Sequence, residues 1–137
     1  MKIDRLLFRT GIPIIDNQHE AYIDLLDEVF AIGQEVPVDR TKVENAIRKA
    51  FAYGMEHFDA EEMLMQSISY PALHAHRTKH NEFREEVERI AFSGQFMSDE
   101  DLWKNVNTWM IQWFCEQTQI YDKALASFLR THATSRP

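Results

Sequence analysis

The stretch LHAHRTKHNEFREEVERI, residues 73–90, decides the fold: Leu73, His76, His80, Phe83, Val87 and Ile90 recur at the spacing of one helical face. An apolar stripe of this kind is destined for an interior, yet two of its members are histidines. Upstream, Val43, Ile47, Ala50, Gly54, His57, Glu61, Leu64 and Ile68 repeat the pattern, with an imidazole and a carboxylate one turn apart on the inward side. A third stripe, Ile15, His19, Tyr22, Leu26 and Val29, carries another histidine. Buried charges without partners cost several kcal/mol each, so a cation that satisfies His19, His57, Glu61, His76 and His80 together is the simplest reason for placing them there.

The 137-residue chain is expected to form one domain. Hydrophobic residues at 45% and charged residues at 27% exclude a mainly disordered chain. The net charge of −7, with no basic stripe, argues against a nucleic-acid partner. One cysteine, Cys115, excludes an internal disulfide and a thiolate cluster, and its neighbours Trp113 and Phe114 predict that it packs in the core. The first residues meet charges at Asp4, Arg5 and Arg9, so no apolar signal region is expected, and no later run has the length of a membrane span. A cytoplasmic chain that engages neither membrane nor nucleic acid is the resulting expectation.

The four glycines and four prolines fall mostly between periodic segments, which predicts long helices joined by short connections. Residues 1–15 read as an irregular arm, with Gly11 and Pro13 opposing an early helix and Asp16 as the first N-cap. Pro37 separates the first two helices. Thr41 and Glu44 form a capping-box signature for a second helix reaching about Ser67. Pro71 marks the start of a third, ending near Phe92 before Ser93 and Gly94. Ser98 or Asp99 caps a fourth that runs to about Arg130 and also covers the arm through Leu6, Leu7, Phe8 and Ile12. The expected fold is all-α: an antiparallel up-down four-helix bundle over residues 16–131, with an N-terminal arm and a tail at 132–137.

Imidazoles and carboxylates without thiolates leave iron, manganese, zinc and copper all chemically open. The HExxH helix, repeated Glu-x-x-His and Cys-x-x-Cys-His are absent, which removes the zinc-protease, ferritin-like and covalent-haem readings. A structural zinc site stays among the alternatives. His74 and His132 are expected to face solvent. Glu62, turned about 100° from Glu61, is expected behind the site or exposed.

Three segments resemble the hemerythrin family. Gly11-Ile12-Pro13-Ile14-Ile15-Asp16-Asn17-Gln18-His19 is similar to its first-ligand segment, and His57-Phe58-Asp59-Ala60-Glu61-Glu62 to its second. Tyr70-Pro71 followed by His76-Arg77-Thr78-Lys79-His80 is similar to its third. The resemblance covers nearly the whole chain and is strongest to bacterial single-domain members. It implies two iron ions in an oxo- or hydroxo-bridged centre, with His19 and His57 on the iron that keeps an open position. His76 and His80 would hold the other, and Glu61 would bridge the pair.

The family's last segment has a tryptophan, a histidine four residues on and a bridging aspartate five later; here these positions read Trp113, Gln117 and Asp122. The fifth histidine is thus a glutamine, which either binds through its amide oxygen or leaves a position for water or substrate. Residues five apart on an α-helix differ by about 140° in direction, so Gln117 and Asp122 are expected to flank the site from two sides. The family's early tryptophan is also missing, and Phe8 is expected to do its packing.

The resemblance implies a monomer that carries, stores or supplies dioxygen, with a reductase or an oxygen-consuming enzyme as its partner. An oxidase, peroxidase or nitric-oxide-reactive enzyme made possible by Gln117, and an oxygen or redox sensing module, are the alternatives.

Overall fold

The computed structural model describes residues 4–135, and among these no strand forms. The helices are α1 (Pro13–Gln34), α2 (Arg40–Ser67), α3 (Leu73–Gly94), α4 (Asp99–Glu116) and α5 (Lys123–Ser135). A 3-10 turn at Arg5–Phe8 precedes them, and a π-helical turn at Gln117–Asp122 joins α4 to α5. The expected fourth helix is therefore α4, the π turn and α5 in succession. It continues to Ser135, so most of the expected tail is helical; residues 1–3 of the arm and 136–137 of the tail lie outside the described residues.

Long-range contacts fix the direction of each helix. At one end, His19 near the start of α1 meets Asp122, and Glu61 late in α2 meets His76 early in α3. At the other, Trp103 early in α4 donates its indole N–H to the Val29 carbonyl late in α1, and Arg40 at the start of α2 bonds the Gly94 carbonyl at the end of α3. Starts and ends alternate, which is the expected antiparallel four-helix bundle.

Several boundaries differ from expectation for local reasons. Pro13 does not oppose the first helix; it occupies the first turn, where its missing N–H costs nothing, so α1 starts three residues before Asp16. The Asp16 carboxylate instead turns back and accepts from the Thr10 N–H at 2.7 Å, the Thr10 hydroxyl at 2.8 Å and the Gly11 N–H at 3.0 Å. Gly11, at φ 83°, supplies the left-handed residue that this reversal requires. The cap of α2 is Asp39, which accepts from the N–H groups of Thr41 and Lys42, rather than the Thr41 and Glu44 box. Pro71 lies in the turn before α3, and Ser98 caps α4 by accepting from the Asp101 N–H.

The arm is tied down by Arg5, which pairs with Glu20, Asp24 and Asp27 of α1. Leu6 and Leu7 stay exposed, contrary to expectation, and Phe8 alone of that trio turns inward, its ring 5.0 Å from that of Phe114. Cys115 is also exposed, because Phe114 and Gln117 take the inward positions at the end of α4.

The apolar interior comes in two pieces. The larger includes Tyr22, Leu26, Val29, Ala50, Phe58, Phe83, Ile90, Val106 and Phe114. The smaller gathers Ile15, Met65, Tyr70, Leu125 and Ala126. Along α1 the residue between Ile15 and Tyr22 that points inward is His19; along α2 Glu61 falls between Phe58 and Met65; beyond α4 Asp122 falls between Phe114 and Leu125. A polar layer thus separates two apolar ones.

Candidate metal centre

Seven polar side chains form that layer: His19, His57, Glu61, His76, His80, Gln117 and Asp122. None is more than 5% exposed. Stripe periodicity on α1, α2 and α3 delivers the four histidines and Glu61. The π turn delivers the other two, since i→i+5 bonding brings residues five apart onto one side of the chain. Gln117 and Asp122 therefore stand side by side, Nε2 to Oδ1 3.3 Å, instead of flanking the site from opposite sides.

Each carboxylate spans two groups of imidazoles. Glu61 sets Oε2 2.8 Å from Nε2 of His57 and turns Oε1 to Nε2 of His76. Asp122 sets Oδ2 2.7 Å from Nε2 of His19 and Oδ1 3.2 Å from Nε2 of His76. Two overlapping sets of potential donors result, Glu61 with His76 and His80, and Glu61 with His57 and Asp122, each having ligand atoms within 4.8 Å of one another. Glu61 belongs to both.

Hydrogen bonding does not account for this convergence. Both oxygens of Glu61 lie close to imidazole nitrogens but off their N–H directions, and with Gln117 Oε1 they have no hydrogen-bond partner among the described residues. Buried polar atoms in folded proteins are nearly always satisfied, so orphans clustered in one layer mark a place built for something else. Imidazole nitrogens and carboxylate oxygens without thiolate suit a divalent first-row cation, and the residues present fit such a group.

Electrostatics in the layer are polarised. Burial opposes a charge on His76, but Asp122 and Glu61 outweigh it and lift its pKa to about 9. His80, next door, is pushed down to about 2 by burial and then by the charge on His76. For Glu61, burial is outweighed by His57 and His76, which hold it well below the usual carboxylate range. For His19, burial is likewise outweighed, by Asp122 first and then by the Phe8 carbonyl, and its pKa rises.

Several ligand candidates are steadied from behind. His19 gives its Nδ1 side to the Phe8 carbonyl at 3.1 Å, which frees Nε2 for the layer. Glu62, expected behind the site or exposed, stands 3.4 Å from Nδ1 of His80 and accepts from Arg77. The Phe58 ring stacks on His80 at 4.0 Å, and Tyr53 lies parallel to His57 at 5.7 Å. His74 and His132 face solvent as expected.

A void of about 10 Å³ opens beside His19 and His57, walled by Tyr22, Tyr53, Trp113, Phe114, Gln117, Thr118 and Asp122. Thr118 was not anticipated. The spacing Phe114, Thr118, Asp122 held the signal, but a threonine on an apolar stripe reads as packing.

Comparison with known proteins points to a cation-binding domain. The profile of the hemerythrin HHE cation binding domain matches residues 10–134. A bacteriohemerythrin of Stenotrophomonas maltophilia is 29% identical over 123 residues, covering 89% of this chain and 77% of the relative. One from Ralstonia nicotianae is 26% identical over 87% of this chain and 82% of its own length. A third, from Pseudomonas aeruginosa, is 26% identical over 76% of this chain and 65% of its own.

Proposed function

Since this chain belongs to the hemerythrin family of cation-binding domains, we propose that it is a non-haem di-iron protein that binds dioxygen reversibly. His19 and His57 would hold one iron, His76 and His80 the other, with Glu61 and Asp122 across both. When bound, the ions supply the two electrons that dioxygen binding requires.

The chain's own residues do the rest. Glu61 and Asp122 would balance the charge of the two cations, each presenting its two oxygens to different imidazoles of the layer. Tyr22, Trp113 and Phe114 line the void beside His19 and His57 with aromatic surface, which keeps water from the open side. The volume of about 10 Å³ is at the lower limit for one water-sized molecule.

One observation carries the reading of carriage over turnover: every hydroxyl on the void is already committed. Tyr22 donates to the Met110 carbonyl at 3.3 Å, Thr118 to the Phe114 carbonyl at 2.8 Å, and Tyr53 to the Gln18 carbonyl. Burial, and for Tyr53 also Asp122 and Glu61, raises the tyrosine pKa values further. No hydroxyl among the described residues on the wall is poised to hand a proton to a bound ligand, a step that oxidative turnover needs. The test is optical. Iron-loaded, anaerobically reduced protein should change colour with dioxygen and return on deoxygenation; no change, or irreversible bleaching with release of peroxide, defeats the proposal.

A further inference from the structure

Gln117 stands where a third ligand to the His76 and His80 cation would stand. Its Nε2 is 3.0 Å from Nε2 of His76, 3.5 Å from Nε2 of His80 and 3.3 Å from Oδ1 of Asp122. The side chain is 2% exposed, and its Oε1 is buried with no partner among the described residues. A glutamine with a purely packing role would have no reason to aim its amide at the Nε2 atoms of two imidazoles and at a carboxylate while leaving its own oxygen unsatisfied.

We infer that Gln117 is an amide-oxygen ligand to the cation at His76 and His80, and that its amide turns over when that cation arrives. The inference rests on the cation pair proposed above. Before loading, the inward NH2 donates to Asp122 Oδ1 and lies against the Nε2 atoms of His76 and His80. A cation takes the Nε2 lone pairs of both imidazoles, displacing the proton that His76 carries. The amide nitrogen has no free lone pair of its own, and its hydrogens repel positive charge, so the inward end must become the oxygen.

The change needs little room. The two ends of a carboxamide are nearly the same size, and rotation about the last side-chain bond exchanges them without moving the helix. One end of the amide is unpartnered in either orientation, so the turnover swaps one orphan for another, and the new bond from oxygen to cation favours the loaded orientation. The π turn makes this geometry available, since it carries Gln117 and Asp122 to the same cation from one segment. No bond between heavy atoms is made or broken within the protein, and the proton released is that of His76.

The experiment is anaerobic titration of metal-free protein with ferrous iron, by calorimetry with iron analysis, for wild type, Gln117→Leu, Gln117→Ala, Gln117→Glu and Gln117→His. Circular dichroism of each metal-free protein checks folding. Two ions should bind to wild type. In the Leu and Ala variants one step should weaken about tenfold or more, the range typical of a lost metal-site contact, while the other stays put. The Glu and His variants should restore it, because each returns a donor atom. Unchanged binding of both ions by the Leu and Ala variants would overturn the inference and leave the cation pair standing. So would a Glu variant as weak as Leu, since packing rather than donation would then be at work. Failure of wild type to take up two ions would overturn both.

Discussion

Asp122 lies 103 positions after His19, yet its Oδ2 rests 2.7 Å from the Nε2 of that histidine while its other oxygen faces His76. One carboxylate therefore joins the first helix to the third through the end of the fourth. Through Nδ1 of His19 the same line of contacts reaches the Phe8 carbonyl and hence the arm.

Replacing Asp122 by Asn keeps the shape and removes the charge. We expect circular dichroism of the metal-free variant to match wild type while iron affinity falls about tenfold to a hundredfold. The His76 pKa, lifted to about 9 with Asp122 as the leading upward cause, should move down in an NMR titration. Undiminished iron binding would show that the carboxylate is not shared.

Metal-free protein should be most stable near pH 6.5. Folded His76 keeps its proton up to about 9, against 6.5 for a free imidazole. Its contribution is whole below 6.5 and is lost as pH rises towards 9. His80 refuses a proton down to about 2, so its contribution is whole above 6.5 and is lost as pH falls from there. Glu61, held low, adds to the loss in acid. Urea denaturation across this range should trace a dome; stability still rising from pH 7 to 9 would contradict it. Iron loading should expel the His76 proton and remove the alkaline limb.

Tyr53 stands between the void at His19 and His57 and an outer cleft of about 360 Å³ lined by Asn17, Gln18, Ala21, Glu56 and Ala60. Tyr53→Phe loses only the hydrogen bond to the Gln18 carbonyl and should cost about 1 kcal/mol. Tyr53→Ala removes the wall, should cost about 2 to 4 kcal/mol, and should speed dioxygen association in stopped-flow measurements. Association rates equal in wild type and the Ala variant would place the route elsewhere.

Much of this architecture was legible beforehand. Stripe spacing on α1, α2 and α3 placed His19, His57, Glu61, His76 and His80 inside, because α-helical periodicity translates directly into facing. It failed at Gln117 and Asp122, where the period itself changes: an α-helical ruler sets them about 140° apart, whereas the π turn brings them together. Asp122 was found only through family resemblance. The starts of α1 and α2 were misplaced by a few residues because Pro13 and Asp39 supplied terminal chemistry that had been assigned to Asp16 and Thr41. Phe8 acts through a backbone carbonyl, which no side-chain pattern reveals. Cys115 misled because apolar neighbours in sequence are not neighbours on a helical face.

The most direct test of the whole account is Mössbauer spectroscopy, with iron analysis, on protein loaded anaerobically with ferrous iron and then exposed to dioxygen. Two irons per chain, coupled to one another after oxygenation and both lost in Glu61→Leu, are the predicted result. A single uncoupled iron, or iron uptake indifferent to Glu61, would contradict it.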